Sequence, residues 1–122
     1  MNHVYLIDDD LDILNNVAIF LRDENFIVKT FASVSNFKAS LPLFKPCIIV
    51  ADMQMPVETG LDLQNYLIEA KIDAPIIFMS GNSQPQQIIK ALKQGANDFL
   101  LKPIVPSELL KVLHQSFDQL KA

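Results

Sequence analysis

Two short apolar runs end in acid. Asp8-Asp9-Asp10 follows Val4-Tyr5-Leu6-Ile7, and Asp52 follows Cys47-Ile48-Ile49-Val50-Ala51. Carboxylates brought close together repel, and each resists ionisation. A hard divalent cation removes that conflict, and an oxygen-rich site with few protein ligands and several waters suits Mg²⁺. Two further runs end in complementary groups. Residues 75–79 lead into Ser80-Gly81-Asn82, a hydroxyl beside a residue that allows close backbone approach. Residues 98–101 lead into Lys102-Pro103. Facing a carboxylate cluster, the ammonium can pair with Asp52 and then with a phosphoryl oxygen. The Lys102-Pro103 bond also has a raised chance of being cis, although trans remains the commoner state.

Each piece has an ordinary reading as well. Asp after a strand often caps a helix or turns the chain, and Asp10 and Asp12 are read that way. A lone Lys is usually a solvated charge. Convergence decides between these readings, and it depends on the elements that carry the residues.

Short β-rich runs alternate with helical patterns along the whole chain. Strands are expected at residues 4–7, 26–31, 47–51, 75–79 and 98–101. Helices are expected at 11–23, 34–41, 61–70, 86–94 and 107–121. In the first helix Ile13, Val17 and Leu21 recur at helical spacing, and Asp10 suits its N-cap. Ile88, Ile89 and Leu92 are expected to face inward from the fourth, with Gly95 at its C′ position. The last helix carries Leu109, Leu110, Leu113, Phe117 and Leu120. Lys29 suits an edge strand, where a charge discourages pairing with another chain.

Apolar strands alternating with amphipathic helices imply an α/β fold with a parallel sheet covered on both faces. The expected architecture is a flavodoxin-like, doubly wound (βα)₅ fold of strand order 2-1-3-4-5. Ligands then bind at the carboxyl ends of the strands, where the order reverses between the first and third. Asp8, Asp9 and Asp52 flank that point.

Bulk properties narrow the function. The chain has 122 residues, the size of one domain, with half of them apolar and a net charge of −4. No basic run or tail is present, which argues against direct nucleic-acid or anionic-membrane binding. The longest apolar stretches are too short to span a bilayer. The start of the chain reaches three aspartates by Asp10 and does not read as a signal peptide. The single Cys47 cannot form an internal disulfide, which fits a reducing cytoplasm. The only glycines are Gly60, Gly81 and Gly95, so the first strand has no Gly-rich phosphate loop and dinucleotide or P-loop chemistry is unsupported. His3 and His114 lie away from the strand ends, which disfavours a Ser-His hydrolase. A calcium loop starting at Asp8 would have Ile13 where it needs Gly and Ile19 where it needs Glu.

Taken in order, these residues resemble the receiver domain of two-component response regulators. The resemblance covers nearly the whole chain. It rests on Asp8-Asp9, Asp52-Met53-Gln54-Met55-Pro56 with Gly60, Ser80-Gly81, and Lys102-Pro103. The stretches Phe78 to Asn82 and Ala91 to Leu100 look most like regulators with a LuxR-type helix-turn-helix output domain.

The resemblance implies a single receiver domain over residues 1–122, either stand-alone or cut before a C-terminal output domain. The LuxR-like stretches favour the fragment. Asp52 would be the phosphoacceptor. Asp9 would be the chief Mg²⁺ (or Mn²⁺) ligand, aided by Asp8, Asp52 and the Gln54 carbonyl. Lys102, Ser80 and the amides near Met53 and Gly81 would bind the phosphoryl group. Ser80 and Phe99 occupy the paired switch positions, where Thr and Tyr are common in the family. Gln54 and Asn82 would tune dephosphorylation. The implied partners are a sensor histidine kinase and, on phosphorylation, a second copy of the chain, meeting through the fourth helix, fifth strand and fifth helix or through the first and fifth helices. The chain would catalyse only its own phosphoryl transfer and dephosphorylation.

Two rival classes remain open at this stage. One is a constitutive interaction module with the same fold but no switch. The other is a haloacid-dehalogenase-like phosphatase with Asp8 as nucleophile and Asp10 as acid, although the chain has no room for a cap domain and Asp12 stands where Thr or Val is usual.

Overall fold

Every apolar run becomes a strand, and every amphipathic stretch becomes a helix laid against the strands. The computed structural model describes residues 1–81 and 85–121. Its elements are β1 (His3–Ile7), α1 (Leu11–Asp23), β2 (Ile27–Phe31), α2 (Val34–Ala39), β3 (Cys47–Asp52), α3 (Gly60–Glu69), β4 (Ile76–Ser80), α4 (Pro85–Lys93), β5 (Asp98–Leu101) and α5 (Pro106–Lys121). All strand pairs are parallel, and the order is β2-β1-β3-β4-β5. The expected topology is therefore the observed one.

Side chains alternate across each strand, so one sheet feeds two cores. Tyr5, Ile7, Ile49, Ala51 and Phe78 face α2, α3 and α4. Val4, Leu6, Ile48, Val50, Ile77 and Met79 face α1 and α5. Strands β1, β3 and β4 are buried on both faces, which explains their continuous apolar sequences. Lys29 is exposed on the edge strand β2, as its charge implied, and its ammonium lies 4.6 Å above the Phe44 ring.

Local signals set the joints. The Asp10 carboxylate accepts the N–H groups of Asp12 and Ile13 at 3.0 and 3.3 Å, so it caps α1. Gly95 takes φ 108° after α4, with its N–H donating to Leu92 O and that of Ala96 to Ala91 O. That is the paired bonding of a glycine-ended helix. The Lys102-Pro103 peptide is cis, and so are Leu41-Pro42 and Lys45-Pro46.

Two helix faces differ from expectation. In α1 the buried line is Leu14, Ala18 and Leu21, while Ile13 and Val17 are half-buried at its margin. In α4 Ile89 and Leu92 are exposed, and Ala91 is the buried residue. Leu120, near the end of α5, is also about half exposed. The sequence holds more apolar positions per turn than the sheet can cover. The smallest residue, Ala, takes the closest approach, and the larger ones are turned aside.

Candidate functional site

The site is assembled where β1 and β3 end side by side. Ile7 pairs with Ala51 in the register, so the next residues, Asp8 and Asp52, emerge together. One oxygen from each of Asp8, Asp9 and Asp52 lies within 4.8 Å of the others. Asp8 and Asp52 are buried, whereas Asp9 is exposed. The backbone reinforces this arrangement. Asp8 Oδ1 accepts the Asp10 N–H at 2.9 Å, and Asp52 Oδ1 accepts the Gln54 N–H at 3.2 Å.

Lys102 arrives from the end of β5. Its N–H donates to Ser80 O at 2.9 Å and extends the β4–β5 ladder by one residue. Its stem passes over Gly81, where a Cβ would lie 3.3 Å from Lys102 Cβ. Its ammonium ends 2.8 Å from Asp8 Oδ2 and 3.3 Å from Asp52 Oδ2. Asp52 was expected as the lysine's partner, yet Asp8 is the nearer of the two. Sequence spacing cannot rank two acids on adjacent strands. Only the reach of the side chain can.

The charges are strongly interdependent. Burial holds the Asp52 carboxyl above its ordinary range, and Asp8 pushes the same way, against the Gln54 N–H and Lys102. Burial alone would lower Lys102, but the two carboxylates outweigh it and hold the ammonium above its ordinary value. Three acids thus face one cation, and Asp52 still resists ionisation. A divalent cation with oxygen ligands fits this donor set, and Asp8, Asp9 and Asp52 are the side chains that would hold it.

The loop after β3 is fixed from both ends. Gly60 N–H donates to Met53 O at 3.1 Å. A Cβ on Gly60 would come within 2.7 Å of Asp52 O and 2.9 Å of Met53 Cα, so only glycine admits this approach. Thr59 and Asp62 form a reciprocal capping box at the start of α3. Its Thr-x-x-Asp spacing is the signal in the sequence that marks this helix start. One expected donor has another task. The Met53 N–H bonds Met79 O at 2.8 Å as part of the sheet, so the amide directed at Asp52 is that of Gln54.

Ser80 ends β4, fully buried, and its hydroxyl has no partner among the described residues. A buried hydroxyl without a partner is costly, and it is available to a ligand oxygen. Phe99 lies opposite Phe78 in the β4–β5 register, half-buried against the core. Asn82 lies outside the described residues.

Comparison with known proteins identifies the family. A family model described as response regulator receiver domain matches residues 4–114. The chain is 35% identical over 107 residues to the response regulator protein TmoT of Ectopseudomonas mendocina, covering 88% of this chain and 49% of that protein. It is 29% identical over 119 residues to the transcriptional regulatory protein FixJ of Rhizobium meliloti, covering 98% and 58%. It thus spans about half the length of the curated relatives it matches. The solved structure of FixJ-N superposes with a TM-score of 0.85 at 28% identity, covering 93% of this chain and 91% of that one. A receiver domain protein from Clostridium thermocellum shares the fold, with a TM-score of 0.88 at 23% identity over 99% and 98% of the two chains. The family match runs through every strand end that carries an acid or the lysine, and the chain belongs to the response regulator receiver domain family.

Proposed function

We propose that Asp52 accepts a phosphoryl group from a phosphohistidine on a sensor histidine kinase, or from a small acyl phosphate, in a Mg²⁺-dependent reaction. The observation that carries this reading is the Lys102 ammonium held between two buried carboxylates at 2.8 and 3.3 Å, beside the third acid. An oxygen of Asp52 forms the new P–O bond. With phosphohistidine the P–N bond breaks and its electron pair stays on the imidazole; with an acyl phosphate the P–O bond breaks and the pair leaves on the carboxylate. Such a transfer needs positioning and charge neutralisation more than covalent assistance. Bound Mg²⁺, which Mn²⁺ can replace, supplies the positive charge that the acids and phosphoryl oxygens require. Asp8, Asp9, Asp52 and the Gln54 carbonyl would hold it. Lys102 turns from the carboxylates toward a phosphoryl oxygen, and the Gln54 and Gly81 amides and the Ser80 hydroxyl take the others.

The movement of Ser80 opens space toward which Phe99 rotates, and this biases a two-state equilibrium in the surface of α4, β5 and α5. Water attack on the acyl phosphate resets the switch, with Gln54 and Asn82 tuning its lifetime. The chain acts on no other substrate. Its output is transcriptional, through dimerisation and a LuxR-type DNA-binding domain, and it works in the cytoplasm. Similarity to a protein named as a transcriptional regulator supports that step.

Beryllofluoride with Mg²⁺ tests the proposal, since it imitates an aspartyl phosphate. Wild type should change its amide spectrum and sedimentation, and Asp52→Asn should not. A mutant response equal to wild type would remove Asp52 from its role. No response in wild type would favour a constitutive interaction module.

A further inference from the structure

Gln64 is a polar residue in a position the core would accept as apolar. It lies on α3 between Leu63 and Leu67, and it is 3% exposed. Its side-chain amide crosses to the neighbouring helix, where Nε2 donates to Ala91 O at 2.9 Å. The assignment of the amide follows from its partner. A carbonyl can only accept, so nitrogen must face it. The other end of the amide, Oε1, is buried with no partner among the described residues. Burying an amide with one end unsatisfied is unfavourable, so the side chain does not serve stability alone.

The acceptor marks a functional place on α4. Ala91 O also receives the Ala96 N–H at 3.0 Å in the glycine-ended cap. This carbonyl therefore sits where α4 turns back into β5. The rest of α4 is loosely held. Ala91 is its buried residue, Ile88 packs partly, and Ile89 and Leu92 face solvent. By contrast α3 is firmly seated, through Gly60, Leu63 and Leu67 in the core and the Thr59–Asp62 capping box. A hydrogen bond from a seated helix to a loosely seated one restrains the second.

We infer that Gln64 is a positioning residue that ties the C-terminal end of α4 to α3, and that this tie holds the domain in its unphosphorylated form. The inference rests on the phospho-switch proposed above. Ser80 and Gly81 lead into α4 from the site, and Gln64 holds its far end. The proposed switch acts on the surface of α4, β5 and α5, and repositioning α4 would strain this bond, so the tie sets part of the threshold for switching.

Gln64→Leu tests this without emptying the core. Leucine fills similar space, removes the unsatisfied Oε1, and leaves Ala91 O its bond from Ala96. The urea midpoint should therefore stay level or rise. The free protein's α4 amide resonances should move along the line toward their beryllofluoride positions. Half-saturation by beryllofluoride at fixed Mg²⁺ should fall about two- to tenfold, the equivalent of one net hydrogen bond. Gln64→Met, which keeps the length and lacks the donor, should do the same. A residue that only fills the core would change the midpoint and leave the resonance line and half-saturation alone, and that result overturns the tie. A wild type that fails to respond overturns the phospho-switch and the tie together. A responding wild type with unshifted variants overturns the tie alone.

Discussion

Replacing Lys102 by methionine isolates the electrostatics of the site. Methionine keeps most of the stem over Gly81 and deletes the ammonium. Asp8 is then left fully buried and Asp52 nearly so, with no cation at 2.8 or 3.3 Å. Removing one partner of a buried ion pair typically costs about 3–5 kcal/mol, because an uncompensated charge remains. Against a total stability of about 5–15 kcal/mol, that is a large share. With a urea slope near ~2 kcal/mol/M, the midpoint should drop by roughly 1.5–2.5 M at neutral pH in EDTA. The sign of the pH dependence follows from Asp52. Its folded carboxyl is already held above the ordinary value of 3.8, with Lys102 pulling downward. A raised acid binds its proton more tightly when folded. Stability is therefore highest below the unfolded value and falls as pH rises through the folded one. Deleting Lys102 removes that downward pull and extends the window upward. The variant should thus trail wild type least near pH 4 and most at pH 7–8. Saturating Mg²⁺ should shrink the deficit, since the added charge sits among the same acids. In wild type, the raised Lys102 contributes stability that is present below 10.5 and lost as pH climbs past it. Paired urea titrations at pH 5 and pH 8, with EDTA or Mg²⁺, measure the variant's deficit, and a wild-type series carried past pH 10.5 measures the lysine's contribution. A pH-independent loss below about 1 kcal/mol, the size of a surface pair, would refute the reasoning.

Two further substitutions test the loop that follows Asp52. Gly60→Ala forces a Cβ against Asp52 O, the Phe78 ring and Met53 Cα, all within 2.9 Å. Urea unfolding should show a loss of about 1–3 kcal/mol, and beryllofluoride binding should weaken because the Asp52 backbone must shift. An alanine variant with wild-type values in both assays would show that the approach is looser than its geometry. Val57 holds φ 70° with its side chain fully exposed. A β-branched residue is strained in that left-handed region and Asn is not, so Val57→Asn should raise stability by about 1 kcal/mol. An unchanged urea midpoint would show that the loop relieves the strain in another way.

The difference between what the sequence revealed and what it withheld has a physical origin. Strand order and the meeting of Asp8, Asp9 and Asp52 were legible because both follow from alternation. A buried parallel strand must be apolar throughout, so the first polar residue after it marks the strand's end, and the strand ends meet at one edge. Helix faces were less legible. Ile89 and Leu92 look as apolar as Ile88, but the helix can bring only one line against the sheet, and Ala91 permits the closest approach. Hydropathy ranks transfer from water and does not register how near two backbones come. Individual partners were least legible. The competition of Asp8 with Asp52 for Lys102, the commitment of the Met53 N–H to Met79, and the reach of Gln64 to Ala91 each join residues from different elements. Such pairings depend on distances set by the packing of the whole sheet, and no local pattern encodes them. Gln64 nonetheless left a trace, as an amide that shares the buried face of α3 with Leu63 and Leu67. A polar residue on a buried face is an inconsistency that the rest of the fold must explain. Here the explanation lies in the helix it restrains.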